Sequence, residues 1–240
     1  MGSGMRATES GQSSDMGGAG RATWGAKIQA ALARWRIRRI YHKKVQEVSD
    51  IHEHLPALRE ISRSCGSICE MGVRRCVSSW AFLAGLDEGS MLKKELLCVD
   101  IEPADTSELA RWAERLMPPV RVTMQVADSR KIVLPHEFDL LFIDTLHVYG
   151  QLKAELWAHQ GRVRRFIVLH DTEVDRDLGE VRRMGWDAGK MARETGMTET
   201  ELSRGLWPAV EEFLAAFPGW ILQKHFSNNN GLTLLARREA

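Results

Sequence analysis

The chain has 240 residues, a formal net charge of +1 and 27% charged residues, so no global field argues for nucleic acid or a strongly acidic partner. That length suits one α/β domain with appendages, and no apolar run approaches the roughly 20 residues that cross a bilayer. Cys65, Cys69, Cys76 and Cys98 show no CxxC pair or zinc spacing and follow no signal peptide, so a soluble cytoplasmic protein with reduced thiols is expected.

Residues 1–22 are rich in Gly, Ser, Ala and Thr and are expected to form a disordered tail. Residues 23–48 read as a basic helix. Ile28, Ala31, Leu32, Trp35, Ile37 and Ile40 recur at roughly helical spacing among Lys27, Arg34, Arg36, Arg38, Arg39, Lys43 and Lys44. Such a helix can meet nucleic acid, a membrane surface or a protein partner, or simply pack on the domain with one face solvated. Trp24 and Trp35 add a self-interface, and with it a homodimer, to these options.

Residues 49–240 read as one domain. Ser49 or Asp50 is expected to cap a helix with the stripe Leu55, Leu58 and Ile61, leading into the first strand, Ser67-Ile68-Cys69-Glu70-Met71. Residues 78–86 (SSWAFLAGL) form the first crossover helix, and Leu96-Leu97-Cys98-Val99 delivers Asp100. Asp105-Thr106-Ser107-Glu108 has capping-box spacing and opens a helix through Leu116, stopped at Pro118-Pro119. A third strand over residues 120–126 is followed by Ala127-Asp128-Ser129. Leu140-Leu141-Phe142-Ile143 then delivers Asp144, and Phe166-Ile167-Val168-Leu169 delivers His170 and Asp171. Two short apolar runs joined by a helix-length connection are neighbouring parallel strands, so their carboxyl ends lie side by side. Ligands of open α/β sheets bind at that edge.

Residues 173–203 are charged and carry four glycines, as in a mobile, partly helical insertion that could serve as a lid. A helix over residues 206–217 and two strands joined by Asn228-Asn229-Asn230-Gly231 finish the chain. The expected fold is therefore α/β: a Rossmann-like, doubly wound, mostly parallel seven-stranded sheet ending in an antiparallel hairpin, with an N-terminal helical extension.

The turn from Glu70 to Cys76 lacks the G-x-G-x-x-G of a pyrophosphate-binding turn, which disfavours a dinucleotide and a nicotinamide oxidoreductase. Asp100 suits the two hydroxyls of a ribose, and Asp128 an adenine amino group. Asp144 and Asp171 would repel each other unless a cation or an arginine, Arg74 or Arg75, lies between them. His147, three residues after Asp144, is the candidate general base, with capping of the crossover helix as the plain alternative.

The segments CEMGVRRCVSSWAFLAGL, LLCVDIEP, VADS, FDLLFIDTLHVYGQLKAEL and FIVLHDT resemble the successive motifs of class I S-adenosylmethionine-dependent methyltransferases. The likeness is to the metal-dependent small-molecule O-methyltransferase branch, related to catechol O-methyltransferase and cephalosporin-hydroxylase-like proteins, and covers residues 49–237. It implies S-adenosyl-L-methionine as cofactor and Mg2+ or another divalent metal. Glu70, Gly72, Val73 and Ser78 would shape the methionine end of the cofactor site, Asp100 and Ile101 the ribose end, and Asp128 and Ser129 the adenine end. Asp144 would serve cofactor, metal and catalysis, with His147 as base and Asp144, His170 and Asp171 as metal ligands. Thr172 stands where the catechol enzyme's pattern has an asparagine, which is why His170 enters the ligand set. Cys76 stands where relatives often have glycine, and a side chain there is expected to narrow the cofactor pocket. The implied reaction is methylation of a hydroxyl on a small molecule or sugar. The alternative is a non-catalytic binding module using the basic helix.

Overall fold

The computed structural model describes Met1 and residues 23–238; the expected tail, apart from Met1, lies outside the described residues. Seven strands are present among them: β1 (Ser67–Met71), β2 (Lys94–Asp100), β3 (Val120–Val126), β4 (Phe138–Ile143), β5 (Val163–His170), β6 (Trp220–Phe226) and β7 (Leu232–Arg237). They form one sheet in the order β3-β2-β1-β4-β5-β7-β6. The first five strands pair in parallel, and β7 runs antiparallel to both β5 and β6. The helices are α1 (Trp24–Gln46), α2 (Leu55–Ser62), α3 (Val77–Glu88), α4 (Ser107–Glu114), α5 (Tyr149–His159), α6 (Glu180–Arg183), α7 (Ala188–Thr195), α8 (Glu199–Ser203) and α9 (Trp207–Ala216). Among the described residues no helix is long and apolar enough to cross a membrane. All four cysteines are buried and free.

The apolar runs become strands because both faces of the sheet are covered. Along β4, Leu140 and Phe142 pack with Leu55, Leu58 and Phe82, whereas Leu141 and Ile143 pack with Leu156 and Phe213 on the opposite face. This alternation is the two-residue period of a strand. Strand order reverses beside β1, whose neighbours are β2 and β4, and a crevice opens at such a switch point. Register then sets the site. Met71 pairs with Ile143, and Ile143 with Leu169, so Gly72, Asp144 and His170 follow at adjacent strand ends.

Three local expectations need correction. Of the expected α1 stripe only Ile37 is buried and Ile40 packs in part; the docked face is Ala30, Ala33, Ile37 and Tyr41. Small alanines let α1 approach closely, while Ile28, Leu32 and Trp35 face outward. The second helix starts later than Ser49, because a 3-10 turn over His52–His54 comes first and Pro56 occupies its first turn. Thr106 forms no capping bond; Asp105 instead accepts from the Ser107 N–H at 3.0 Å, so the expected capping box is an Asx turn, and α4 ends at Glu114. The 173–203 segment is partly helical and has an apolar centre in which Val181, Met197 and Leu202 pack on Val148.

Candidate active site

The loop after β1 is held in an unusual backbone shape. Gly72, Arg74 and Cys76 have φ of 87°, 44° and 56°, the left-handed region that only glycine enters without cost. Asp100, at the end of β2, secures it: its Oδ2 accepts from the Val73 and Arg74 N–H groups at 2.8 and 3.1 Å. Burial works against the charged form of Asp100, but these backbone donors hold it below its ordinary value. Ile101, next in the chain, is exposed.

Glu70 lies elsewhere than the resemblance implied. Its side chain is fully buried beneath the first turn of α3, accepting from the Ser78 hydroxyl and from Ser79 Oγ at 2.6 Å. Burial pushes its carboxyl up to about 7 against the lowering effect of the two hydroxyls. It anchors α3 and lines neither of the cavities described below. Cys76 also turns inward, into the core around α3, with its thiol toward Asp105 O at 3.7 Å. It therefore does not narrow the crevice, and burial pushes the thiol up to about 11.

Two cavities open at the carboxyl edge. One, of ≈ 270 Å³, is lined by Asp100, Ile101, Asp128, Ser129 and Gln151 among others. The other, of ≈ 320 Å³, is lined by Lys44, Asp50, Val73, Arg75 and Ser78 among others. Gly72, Arg74 and Asp144 line both. At the first, Asp128 is paired with Arg130 and Lys131 at 3.0 and 3.1 Å. Burial opposes its charge, but the Arg130 contacts bring it down to about 2. Ser129 Oγ donates to Glu155 Oε1 at 2.5 Å, and Thr145 and Gln151 donate to the same carboxylate. Burial raises Glu155 to about 6.

This buried polar set, with His159 Nε2 at 2.6 Å from Ser129 O, was not foreseen. A signal for it exists: Gln151, Glu155 and His159 fall at i, i+4 and i+8, a polar stripe on a helix otherwise read as apolar packing.

Asp144, which lines both cavities, is grouped behind them with His147, His170 and Asp171. His147 Nε2 is 3.1 Å from Asp144 Oδ1 and 3.0 Å from Asp171 Oδ2. His170 Nδ1 is 3.1 Å from each of the same two oxygens. The cations between the carboxylates are thus imidazoles; Arg74 pairs instead with Asp50 at 3.1 Å. His147 Nδ1 faces Glu180 at 3.3 Å and Asp175 at 3.7 Å, so the insertion contributes to the site. His170 Nε2 faces Asp50 O at 3.2 Å, and Thr172 accepts from the Thr233 hydroxyl within the sheet.

Burial disfavours charge on all four groups. The hydrogen bonds of His147 to Asp144 and Glu180 nevertheless raise its pKa well above the ordinary value, and the Asp144 carboxylate helps bring His170 up to about 10. Asp144 and Asp171 are correspondingly held below the usual carboxylate range. Both ring nitrogens of His147 thus face carboxylates. The donor atoms of Asp144, His147 and Asp171 lie within 4.8 Å of one another, a spacing able to hold a metal ion. Asp171 Oδ1 is buried without a hydrogen-bond partner among the described residues.

Residues 69–172 match a family model described as a methyltransferase domain. Among solved structures, the chain is similar to a Staphylococcus aureus protein provisionally named a caffeoyl-CoA O-methyltransferase, at 13% identity and a TM-score of 0.50 over 90% of this chain and 100% of that one. It is also similar to an O-methyltransferase from Bacillus cereus in complex with S-adenosylhomocysteine (SAH), at 15% identity, TM-score 0.49, covering 89% of this chain and 100% of that one. The SAH-bound Podospora anserina methyltransferase PaMTH1 follows at 12% identity, TM-score 0.48, 93% and 100%. No curated protein sequence matches. The matched segment runs from Cys69 in β1 to just past β5, and the likeness to the Staphylococcus aureus structure is one of fold.

Proposed function

We propose that the protein is an S-adenosylmethionine-dependent O-methyltransferase acting on a hydroxyl of a small molecule or sugar, assisted by a divalent cation. The observation that carries this reading is the meeting of two cavities at Gly72 and Asp144, beside the Asp144, His147 and Asp171 donors. The ≈ 270 Å³ cavity offers Asp100 and Ile101 for a ribose and Asp128 and Ser129 for an adenine. The backbone around Gly72 and Val73 would hold the methionine end, with Glu70 acting only through α3. The cofactor, when bound, supplies a methyl group on a sulfonium for in-line displacement, which rewards alignment above all.

The residues present also fit a divalent ion. Two carboxylates, that of Asp171 with its Oδ1 unsatisfied among the described residues, and an imidazole form an oxygen-rich donor set with one nitrogen, suited to magnesium or, with the histidine, manganese or iron. Such an ion would lower the pKa of an acceptor hydroxyl. With Nδ1 toward Glu180, His147 presents Nε2 to both carboxylates, which favours a ligand role. His147 rather than His170 would then be the third ligand, and one nitrogen cannot both ligate and take the acceptor's proton, so His147 would not also be the base. His170, with both nitrogens engaged, would orient Asp144 and Asp171. Four buried thiols suit a reducing cytoplasm.

Isothermal titration calorimetry with S-adenosylmethionine and SAH, with and without Mg2+ or Mn2+, tests the reading. Micromolar binding, about −8 kcal/mol, supports it and justifies screening hydroxylated acceptors. No binding under any condition would leave a non-catalytic module.

A further inference from the structure

Helix α1 has a second apolar face that the domain does not use. Trp24, Ile28, Leu32 and Trp35 follow i, i+4, i+8, i+11 spacing and so form one stripe. They are 78%, 49%, 44% and 54% exposed, although the same helix buries Ala30, Ala33, Ile37 and Tyr41 completely or nearly so. Four large apolar side chains in a row differ from the scattered exposed leucine of an ordinary surface. Arg38 and Arg39, three and four residues beyond Trp35, continue the stripe as cations, and the Arg39 guanidinium lies 5.4 Å from the Trp35 ring centre.

The charge of the helix is one-sided. Its 23 residues contain no Asp or Glu. Arg34 and Arg36 are spent on docking, to Asp87 and Glu108, and Arg38 lies 3.7 Å from Glu88. Lys27, Arg39 and Lys43 form no ion pair among the described residues. A phosphate backbone would satisfy these cations but offers nothing to Ile28 and Leu32. A second copy packed on the same stripe would bring Lys27, Arg39 and Lys43 near their own images, with no acid on the helix to relieve them. An anionic bilayer surface answers both features: aliphatic side chains enter below the headgroups, tryptophans sit at headgroup depth, and Lys and Arg reach the phosphates.

We infer that α1 is an in-plane docking helix for anionic phospholipid surfaces, seated through Trp24, Ile28, Leu32 and Trp35. The inference is independent of the methyl-transfer reading. Its position has a consequence for access, because Lys44, at the end of α1, and Val48, just after it, line the ≈ 320 Å³ cavity. A docked α1 brings that mouth close to the surface.

The test is co-sedimentation of the full chain with vesicles of phosphatidylcholine alone and of phosphatidylcholine mixed with phosphatidylglycerol, at low and high salt. Wild type is expected to pellet only with the mixed vesicles, and less at high salt. Ile28→Asp/Leu32→Asp should abolish pelleting. Lys27→Gln/Arg39→Gln should weaken it about thirty-fold. These positions are exposed, so circular dichroism and thermal unfolding should match wild type in both variants. The inference is overturned by absence of pelleting with mixed vesicles or by equal pelleting of Ile28→Asp/Leu32→Asp. It is equally overturned if sedimentation velocity without vesicles shows a dimer that this variant dissolves while vesicles capture neither protein. Salt-sensitive binding to polyuridylate that the variant retains, with no vesicle binding, would also overturn it.

Discussion

Gly72 and the main chain of Asp144 touch: a β-carbon built on Gly72 would lie 1.8 Å from the Asp144 carbonyl oxygen. The first strand's loop and the fourth strand's end are therefore locked together at the junction of the two cavities. With φ of 87° and no room, Gly72 has two separate reasons to be glycine.

Gly72→Ala should consequently lower stability by more than about 2 kcal/mol, since left-handed strain adds to a backbone clash. Thermal unfolding would show the loss, and calorimetry should show SAH binding reduced beyond detection in whatever remains folded. A variant with wild-type stability and affinity would mean that the loop does not hold its place through this contact.

Asp144→Ala is expected to abolish methyl transfer while leaving SAH affinity within about tenfold, because the cofactor's polar contacts would come mainly from other strand ends. Single-turnover assays beside calorimetry separate the two effects. Full activity in this variant would refute the metal-assisted mechanism.

Asp171→Asn keeps a residue type that tolerates the φ of 57° found there, so it isolates the carboxylate. Mn2+ affinity, followed by loss of the free-ion paramagnetic resonance signal, should fall by about tenfold or more, as should that of Glu180→Gln, which disturbs the support of His147. Chelation of the wild type should lower turnover, with Mg2+ or Mn2+ restoring it. Unchanged Mn2+ affinity in both variants would remove the proposed ligand set.

Glu70 makes a prediction about pH. Its carboxyl stands near 7 in the fold against 4.5 as its ordinary value, chiefly through burial. The folded state thus binds more protons between these values, and stability falls as pH rises from 4.5 through 7. The contribution is at most about 3 kcal/mol. Glu70→Gln should flatten that part of the stability curve and leave the protein more stable than wild type at pH 8; denaturant titrations at several pH values read this directly. A parallel decline in the variant would assign the slope to other groups.

The sheet was legible because its strands are short apolar runs ending in acids or glycine, and burial on both faces leaves such runs few alternatives. Legibility failed where two residues of similar chemistry can face opposite ways. Glu70 and Asp100 both lie at or next to strand ends, but Glu70 points beneath α3 while Asp100 reaches the β1 loop, and periodicity alone does not say which. On α1, hydrophobicity suggested the Ile28, Leu32 and Trp35 face, whereas close packing selected the alanines. At the site, Asp144, His147, His170 and Asp171 were found from spacing, and their meeting is real. How the two imidazoles share two carboxylates depends on Glu180 and Asp175, from an insertion whose register no pattern revealed.

The placement of β7 between β5 and β6 bears on how the molecule is made. A strand from near the end of the described chain occupies an interior slot, so during synthesis the hydrogen-bonding edge of β5, the strand that carries His170, stays open until residues 232–237 have emerged. An open, apolar edge is a template for pairing with other chains. Ribosome-bound or truncated forms lacking those residues would thus be the aggregation-prone species, with the strand that carries His170 the last part of the domain to be secured.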